Sequence, residues 1–457
     1  MNVHEQEVVA ALEVWLEEVR LTLEARFNEL VQLIDIPRWH ALPTGGFKHY
    51  PYSPMYRYSI LDEAIFKSSA AWANVERLAE GHANLKRHFT EFVNLANGSG
   101  RALSLQDLCR SMLPKLELLD EKTISADTDF DVKAKVFQFF EAVNSETDEQ
   151  LTVWPIHSLA TDDIVELDDL TQFRELTTDE KLHCLNFEII RPTMQMDIPL
   201  EHSRWFGLCR LTRDKKIFGI QEPDFNIINN RFADQDQVLE DFLVSVPLTN
   251  DRVAFHAGGF AAAPHFEEGQ ILKFGTTGRG VGASNHIRFA FLDEGTKLNA
   301  EELMQLREVW SFIRQTNAGK FGKRVGNAAR RMFYAETRTK QDDALVDLIV
   351  AAESLYLSEN NELSYRTSLY ASLWADGDAK KRREVFDAFR SAYKLRSNIV
   401  HGSTAAADKV SEAIQQVKPI LRAAIRKALV HLSTNNDAPD WDSMVFGNEG
   451  SDQEPPT

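Results

Sequence analysis

The sequence predicts a mainly helical α+β protein, with a helical C-terminal third preceded by a mixed α/β N-terminal region. Three observations predict this. Apolar residues recur at three- and four-residue spacing over 5–34, 60–96, 103–119 and most of 301–432. Short β-type runs separated by Gly, Pro and Asn fill 184–292. The chain of 457 residues, 43% hydrophobic, exceeds what one ordinary core encloses. The divisions that follow are 1–183, helical and acidic; 184–300, a β-rich or mixed module; 301–432, a helical domain; and 433–457, a disordered acidic tail.

Val8, Leu12, Trp15, Leu16, Val19, Leu23, Phe27, Leu30 and Ile34 lie on one stripe of a long amphipathic helix that Pro37 stops. Pro43, Gly45, Gly46, Pro51 and Pro54 then predict an irregular aromatic-rich segment over 38–58. Within the acidic stretch 120–181, the spacing predicts a helix around Val132 to Val143. Phe187 to Ile190, Trp205 to Leu211 and Ile287 to Phe291 have the composition of strands. Helical periodicity resumes at Ala300 behind an Asn299 cap and runs, with breaks, to Leu432. Ser433 to Thr457 contains no Lys or Arg, several acids and a Pro-Pro pair, the composition of a disordered tail.

No basic stretch followed by an apolar run opens the chain, and no apolar run approaches the roughly eighteen residues needed to span a bilayer. Cys109, Cys184 and Cys209 are single, far apart and odd in number, unlike a disulfide framework or a metal knuckle. A soluble protein of a reducing cytoplasm, with no membrane partner, is the expectation. The net charge of −18 argues against a nucleic-acid partner on average, but the average hides an asymmetry. Residues 111–180 hold 18 acids against 5 bases, whereas 361–431 hold 13 bases against 7 acids. A basic patch in the C-terminal domain can guide an anion locally, because charges further off than about 8 Å are screened. Solvated charged faces on both halves are the alternative.

Several motifs fail on their chemistry. GTTGRGVG over 275–282 lacks the Gly-Lys-Ser/Thr ending of a phosphate loop and reads as a loop or hairpin. Asp127, Asp129 and Asp131 alternate like a calcium loop, but Val132 and Gln138 stand where Gly and Glu are required. His256, His265 and His286 have no short ligand spacing, and no GxSxG elbow is present, so no metal and no serine nucleophile is expected.

One constellation survives. On the helix over Asp342 to Leu357, Glu353 falls on the inward stripe of Leu345, Leu348, Ile349, Ala352 and Tyr356. On the helix over 380–396, the stripe of Phe386, Phe389 and Tyr393 runs on to Arg396 and Val400. Two inward charges are tolerable only together, so Glu353 and Arg396 are expected to meet. His401 lies five residues after Arg396, about 140° round and about 7.5 Å along an unbroken helix. Gly402 signals that the helix ends there, and a helix end can turn the imidazole back toward Arg396. The same residues also suit a Glu–Arg pair with a helix-terminal His favouring the dipole.

The order DDALVDLIVAAESLYL (342–357), LSYRTSLYASLW (363–374) and FRSAYKLRSNIVHG (389–402), after NAARRMFYAETRTKQDD, resembles the ApeA-like branch of the HEPN superfamily. Its hallmark is Arg, four to six residues, then His, and Arg396 and His401 have four between them. The resemblance covers roughly 130 residues. It implies a four-helix up-and-down bundle that dimerises so that two Arg/His pairs line one cleft, and a ribonuclease needing neither metal nor cofactor. The implied catalytic residues are Arg396, His401 and Glu353, supported by Tyr393, Ser397 and Asn398, with Lys380, Lys381, Arg382, Arg383 and Lys394 on the substrate RNA. The large N-terminal part resembles the layout of bacterial anti-phage defence proteins, which implies a nuclease restrained until an unknown trigger acts there. Many HEPN proteins are instead noncatalytic RNA- or nucleotide-binding or assembly modules.

Overall fold

The computed structural model describes residues 3–446 except 92–103, 119–122, 127–129, 187–196, 199–203, 216–224, 263–271, 275–295 and stretches of one to four residues. It is a mixed α/β protein in which helix predominates and the C-terminal region is helical. The chain divides into two units, one of residues 1–164, 169–235 and 256–296, the other of 165–168, 236–255 and 297–457. No helix among the described residues is long and apolar enough to cross a membrane.

In the first unit, helix Val3–Leu30 buries Val8, Leu12, Trp15, Leu16, Val19 and Leu23 against helices Ala70–Gly81 and Val132–Asn144. Trp15 anchors this core: its ring lies 5.1 Å from that of Trp72, and its indole N–H donates to the Ile65 carbonyl at 2.8 Å. The helix stops earlier than the apolar spacing implies, because Val31–Ile34 is a strand paired with Ser53–Tyr56. Nor is 38–58 irregular: Arg38–Ala41 pairs antiparallel with Phe47–Tyr50. A four-residue apolar run carries too little periodicity to separate a strand from a helix end, and these pairings are long-range rather than local.

The expected boundary at 184 is replaced by a shared sheet. Thr147–His157 pairs over ten residues with Phe206–Lys215, which also pairs with Thr171–Glu175. The strands therefore begin inside the acidic region. Phe187 to Ile190 and Ile287 to Phe291 lie outside the described residues, as do the 275–282 loop, Asp127, Asp129, His265 and His286. Asp131 caps helix Val132–Asn144, accepting from the Lys133 and Ala134 amides. His256 lies beside buried His157, and burial lowers both imidazoles, to about 4 and about 3, so both are neutral. All three cysteines are buried thiols.

The second unit contains helices Ala300–Gln315, Gly319–Thr337, Gln341–Tyr356, Leu363–Trp374, Ala379–Val400 and Ala407–Leu432. Asn299 caps the first in a reciprocal box, accepting from the Glu302 amide at 3.0 Å while its own amide donates to the Glu302 carboxylate at 2.9 Å. Gln341–Tyr356 is apolar nearly all round and packs against four of the others: Gly319–Thr337, Leu363–Trp374, Ala379–Val400 and Ala407–Leu432. The unit also takes residues 236–255, where Asp241 and Glu240 meet Arg314 and Arg330 at 3.4 and 3.0 Å. The tail expected to be disordered from 433 contains a further helix, Trp441–Phe446. Trp441 stacks on Tyr370 with ring centres 5.0 Å apart and meets Trp374 and Tyr356 edge-on.

Candidate functional site around Arg396

Two helices position the candidate residues. The C-terminal end of Gln341–Tyr356 is held by Arg324, whose guanidinium donates to the Ser354 and Leu355 carbonyls at 3.1 and 2.9 Å. These are carbonyls that a helix end leaves without intrahelical partners, so Arg324 fixes the turn carrying Glu353. Ala379–Val400 begins at Asp378, whose carboxylate accepts from the Lys381 amide at 2.8 Å. It buries Val385, Phe389 and Ala392, while Phe386 and Tyr393, expected inside, are half-buried. Phe389 meets Tyr356 edge-on at 6.5 Å, joining the two helices about one turn from Glu353 and two turns from Arg396.

Glu353 and Arg396 meet there. The nearest guanidinium nitrogen lies 3.8 Å from the Glu353 carboxylate, with the Arg396 and Glu353 side chains 24% and 19% exposed. This is a half-buried ion pair, not the enclosed one that the stripe alone suggests. Tyr393 completes it by donating its hydroxyl to the other carboxylate oxygen at 2.8 Å and lying under the guanidinium, 5.7 Å from ring centre to Cζ. Burial, reinforced by the hydrogen bond to Glu353, pushes the Tyr393 phenol up to about 12, so it stays a donor at neutral pH. Arg396 Nε is buried without a hydrogen-bond partner. The arrangement fixes a planar cation whose side chain stays partly exposed, the chemistry that grips a phosphate.

His401 stands apart. The helix runs unbroken to Val400, and His401 is its C-cap, with its amide donating to the Ser397 carbonyl at 3.1 Å. Gly402 ends the turn at φ +77°, a conformation that suits glycine. The imidazole is exposed, and no hydrogen bond or ion pair joins it to Arg396 or Glu353. Helical geometry therefore keeps about 140° between the two side chains right to the cap, and the helix end does not fold the imidazole back. Ser397 is half-buried and Asn398 exposed, and neither side chain joins the Tyr393–Glu353–Arg396 cluster.

The expected basic residues divide. Lys380, Lys381, Arg382 and Arg383 are exposed at the far end of the helix, about 20–24 Å along the axis from Arg396, too far to share its phosphate. Lys394 is exposed and only about 3 Å along the axis from Arg396, but about 160° round the helix from it. Three features escaped the sequence reading. Arg390 lies between these groups on the same helix face as Lys394, a spacing that a helical wheel reveals. Tyr365 is 48% exposed and touches Phe386 edge-on at 5.8 Å. Asp347, like Asp241, is a buried acid of this unit, accepting from Arg331 and Arg338 at 2.8 and 2.7 Å. Its position among apolar neighbours was the available signal.

Among the described residues, no group of three or more His, Cys, Asp or Glu side chains is placed to hold a metal ion. No family model matches the chain, and no curated protein or solved structure matches it either.

Proposed function

We propose that the C-terminal helical unit is a metal-independent endoribonuclease of the HEPN kind, acting as a homodimer. The observation that carries this reading is Arg396, tethered by Glu353 at 3.8 Å and seated on Tyr393 with its side chain still 24% exposed. The order of the helices and the Arg396–His401 spacing support it. So does the charge of Ala379–Val400, where seven bases stand against two acids in a chain of net charge −18.

In the proposed reaction Arg396 holds the non-bridging phosphate oxygens and stabilises the charge gathering on phosphorus. His401 takes the proton from the 2′-hydroxyl, whose oxygen attacks the phosphorus as the bond to the 5′-oxygen breaks. The leaving oxygen takes a proton from a second imidazole, and the products are a 2′,3′-cyclic phosphate and a 5′-hydroxyl. Within one chain the Arg396 constellation holds a single imidazole, His401, placed about 140° from Arg396. A dimer with the four-helix packing of this superfamily supplies the second His401 and lets the Arg396 of one copy work with the His401 of the other. The proposal includes the defence setting, in which the N-terminal region restrains cleavage until a trigger acts.

Mixing tests it. Arg396→Ala and His401→Ala are each expected to be inactive, and an equal mixture of wild type with the doubly substituted chain, as exchanging dimers, keeps about a quarter of wild-type cleavage, because only dimers of two wild-type chains hold both imidazoles. A mixture that keeps about a half, the share of sites each contained in one chain, refutes the shared site.

A second reading is a noncatalytic RNA- or nucleotide-binding module. The exposed His401, unattached to Arg396, favours it. Binding of RNA with no cleavage by any variant or the wild type establishes that reading instead.

A further inference from the structure

Ala379–Val400 carries a second face, distinct from the one that meets Glu353. At 100° per residue, Arg383, Phe386, Arg390, Lys394 and His401 fall within an arc of about 80°, whereas Arg396 lies outside it. Phe386 is flanked on this face by two guanidinium groups, with Arg383 Cζ 5.7 Å and Arg390 Cζ 5.8 Å from its ring centre. Tyr365, from helix Leu363–Trp374, extends the aromatic surface. Among the described residues Lys380, Arg382, Arg390 and Lys394 make no ion pair, and the pairs of Lys381 with Glu384 and Arg383 with Asp387 are exposed and therefore weak. Positive charge runs along about 22 Å of helix from Phe386 to His401, and the Phe386 and Tyr365 rings stand together at its Phe386 end, between Arg383 and Arg390.

We propose that this face is a track for single-stranded RNA that ends at His401, with Tyr365 and Phe386 as the platform on which a base stacks and Arg390 and Lys394 as phosphate contacts. The polymer is named as RNA on the strength of the ribonuclease reading; the single-stranded form follows from the surface itself. A duplex buries the faces of its bases in its own stack and leaves an exposed aromatic ring nothing to receive, whereas an unpaired base gains by stacking on a ring or a guanidinium plane. Positive charge alone draws single strand and duplex alike. The rings at the Phe386 end are what choose between them.

The test uses the full chain and a fluorescent 2′-O-methyl oligoribonucleotide, which lacks the free 2′-hydroxyl and so reports binding without cleavage. Anisotropy is expected to show tighter binding of the single strand than of the same sequence as a duplex. Tyr365→Ala weakens single-strand binding about tenfold and leaves competition by inorganic polyphosphate unchanged. Phe386→Leu keeps the half-buried packing and weakens single-strand binding in the same sense. Arg390→Ala and Lys394→Ala each lower the slope of log affinity against log salt by about 0.7. Three results overturn the proposal: duplex bound as tightly as single strand, Tyr365→Ala binding like the wild type, or Tyr365→Ala dissociating a dimer with RNA binding intact, which makes the face a contact between copies. Single-strand binding with the expected mutant pattern but no cleavage of unmodified RNA upholds the track and refutes the nuclease.

Discussion

Replacing Arg396 with alanine separates the structural part of the Glu353 pair from its chemistry. A fully buried ion pair broken on one side costs about 3–5 kcal/mol because the remaining charge is stranded, whereas an exposed pair contributes about 0–1 kcal/mol. Here the side chains are 24% and 19% exposed, and the separation of 3.8 Å is that of an ion pair without a hydrogen bond. Glu353 also retains the Tyr393 hydroxyl at 2.8 Å when the guanidinium is gone. The carboxylate is thus neither dry nor orphaned, and the expected loss is about 1–2 kcal/mol, a fall of about 3–6 °C in the melting temperature for a unit of this size. Cleavage, by contrast, should vanish, because no other guanidinium replaces the phosphate contact. Thermal melting and cleavage of a labelled RNA are read on the same preparation. A loss above about 4 kcal/mol refutes the half-buried pair, and undiminished cleavage refutes the phosphate contact.

Asp347→Ala should cost more than Arg396→Ala, about 2–4 kcal/mol, since two short charge-assisted hydrogen bonds to a buried carboxylate disappear; chemical denaturation measures it, and a smaller loss than for Arg396→Ala contradicts the ranking. Tyr393 adds a pH signature. Its phenol is raised to about 12 in the folded protein against about 10 in an unfolded chain, so its contribution is fully present below pH 10 and is lost as pH rises from there through 12. Tyr393→Phe should remove that part of the alkaline slope, and wild-type and variant stability curves that run parallel between pH 9 and 12 would show the phenol is not linked. Trp441→Ala should destabilise the C-terminal unit by about 2 kcal/mol, less than for a wholly buried tryptophan because Trp441 is half-buried. Deleting 437–457 should reproduce the effect, and an unchanged melting temperature in both shows that the stacking contributes nothing.

The residues that proved readable from sequence are those whose placement follows from a helical period. Leu345, Leu348, Ile349 and Ala352 put Glu353 on the side facing the Arg396 helix, and the two side chains do meet. The Asn299 cap was readable because its box closes within three residues. What could not be read depends on partners far along the chain. Val31–Ile34 continues an apolar helical stripe yet pairs with Ser53–Tyr56, a choice made by the sheet edge. Trp441 follows a polar, acidic stretch of disordered composition, and only the Tyr370, Trp374 and Tyr356 rings of earlier helices give it a seat. Asp347 was missed because Arg331 and Arg338, which make its burial tolerable, lie on and just beyond the preceding helix. The placement of His401 turned on whether the helix breaks before or after it. The local sequence leaves that open, and the structure ends the helix at Val400, too late to turn the imidazole round.

The central claim is that His401 moves the proton in a cleavage that needs no metal, and cleavage of a defined single-stranded RNA in EDTA tests it most directly. An imidazole is the side chain suited to giving and taking a proton near neutral pH, and such groups contribute about 10²- to 10⁴-fold. The wild type is expected to cut with a 2′,3′-cyclic phosphate on the 5′ fragment, and His401→Ala to cut slower by that factor while melting like the wild type, since the exposed ring holds nothing together. Equal cleavage by the wild type and by His401→Ala in EDTA contradicts the claim.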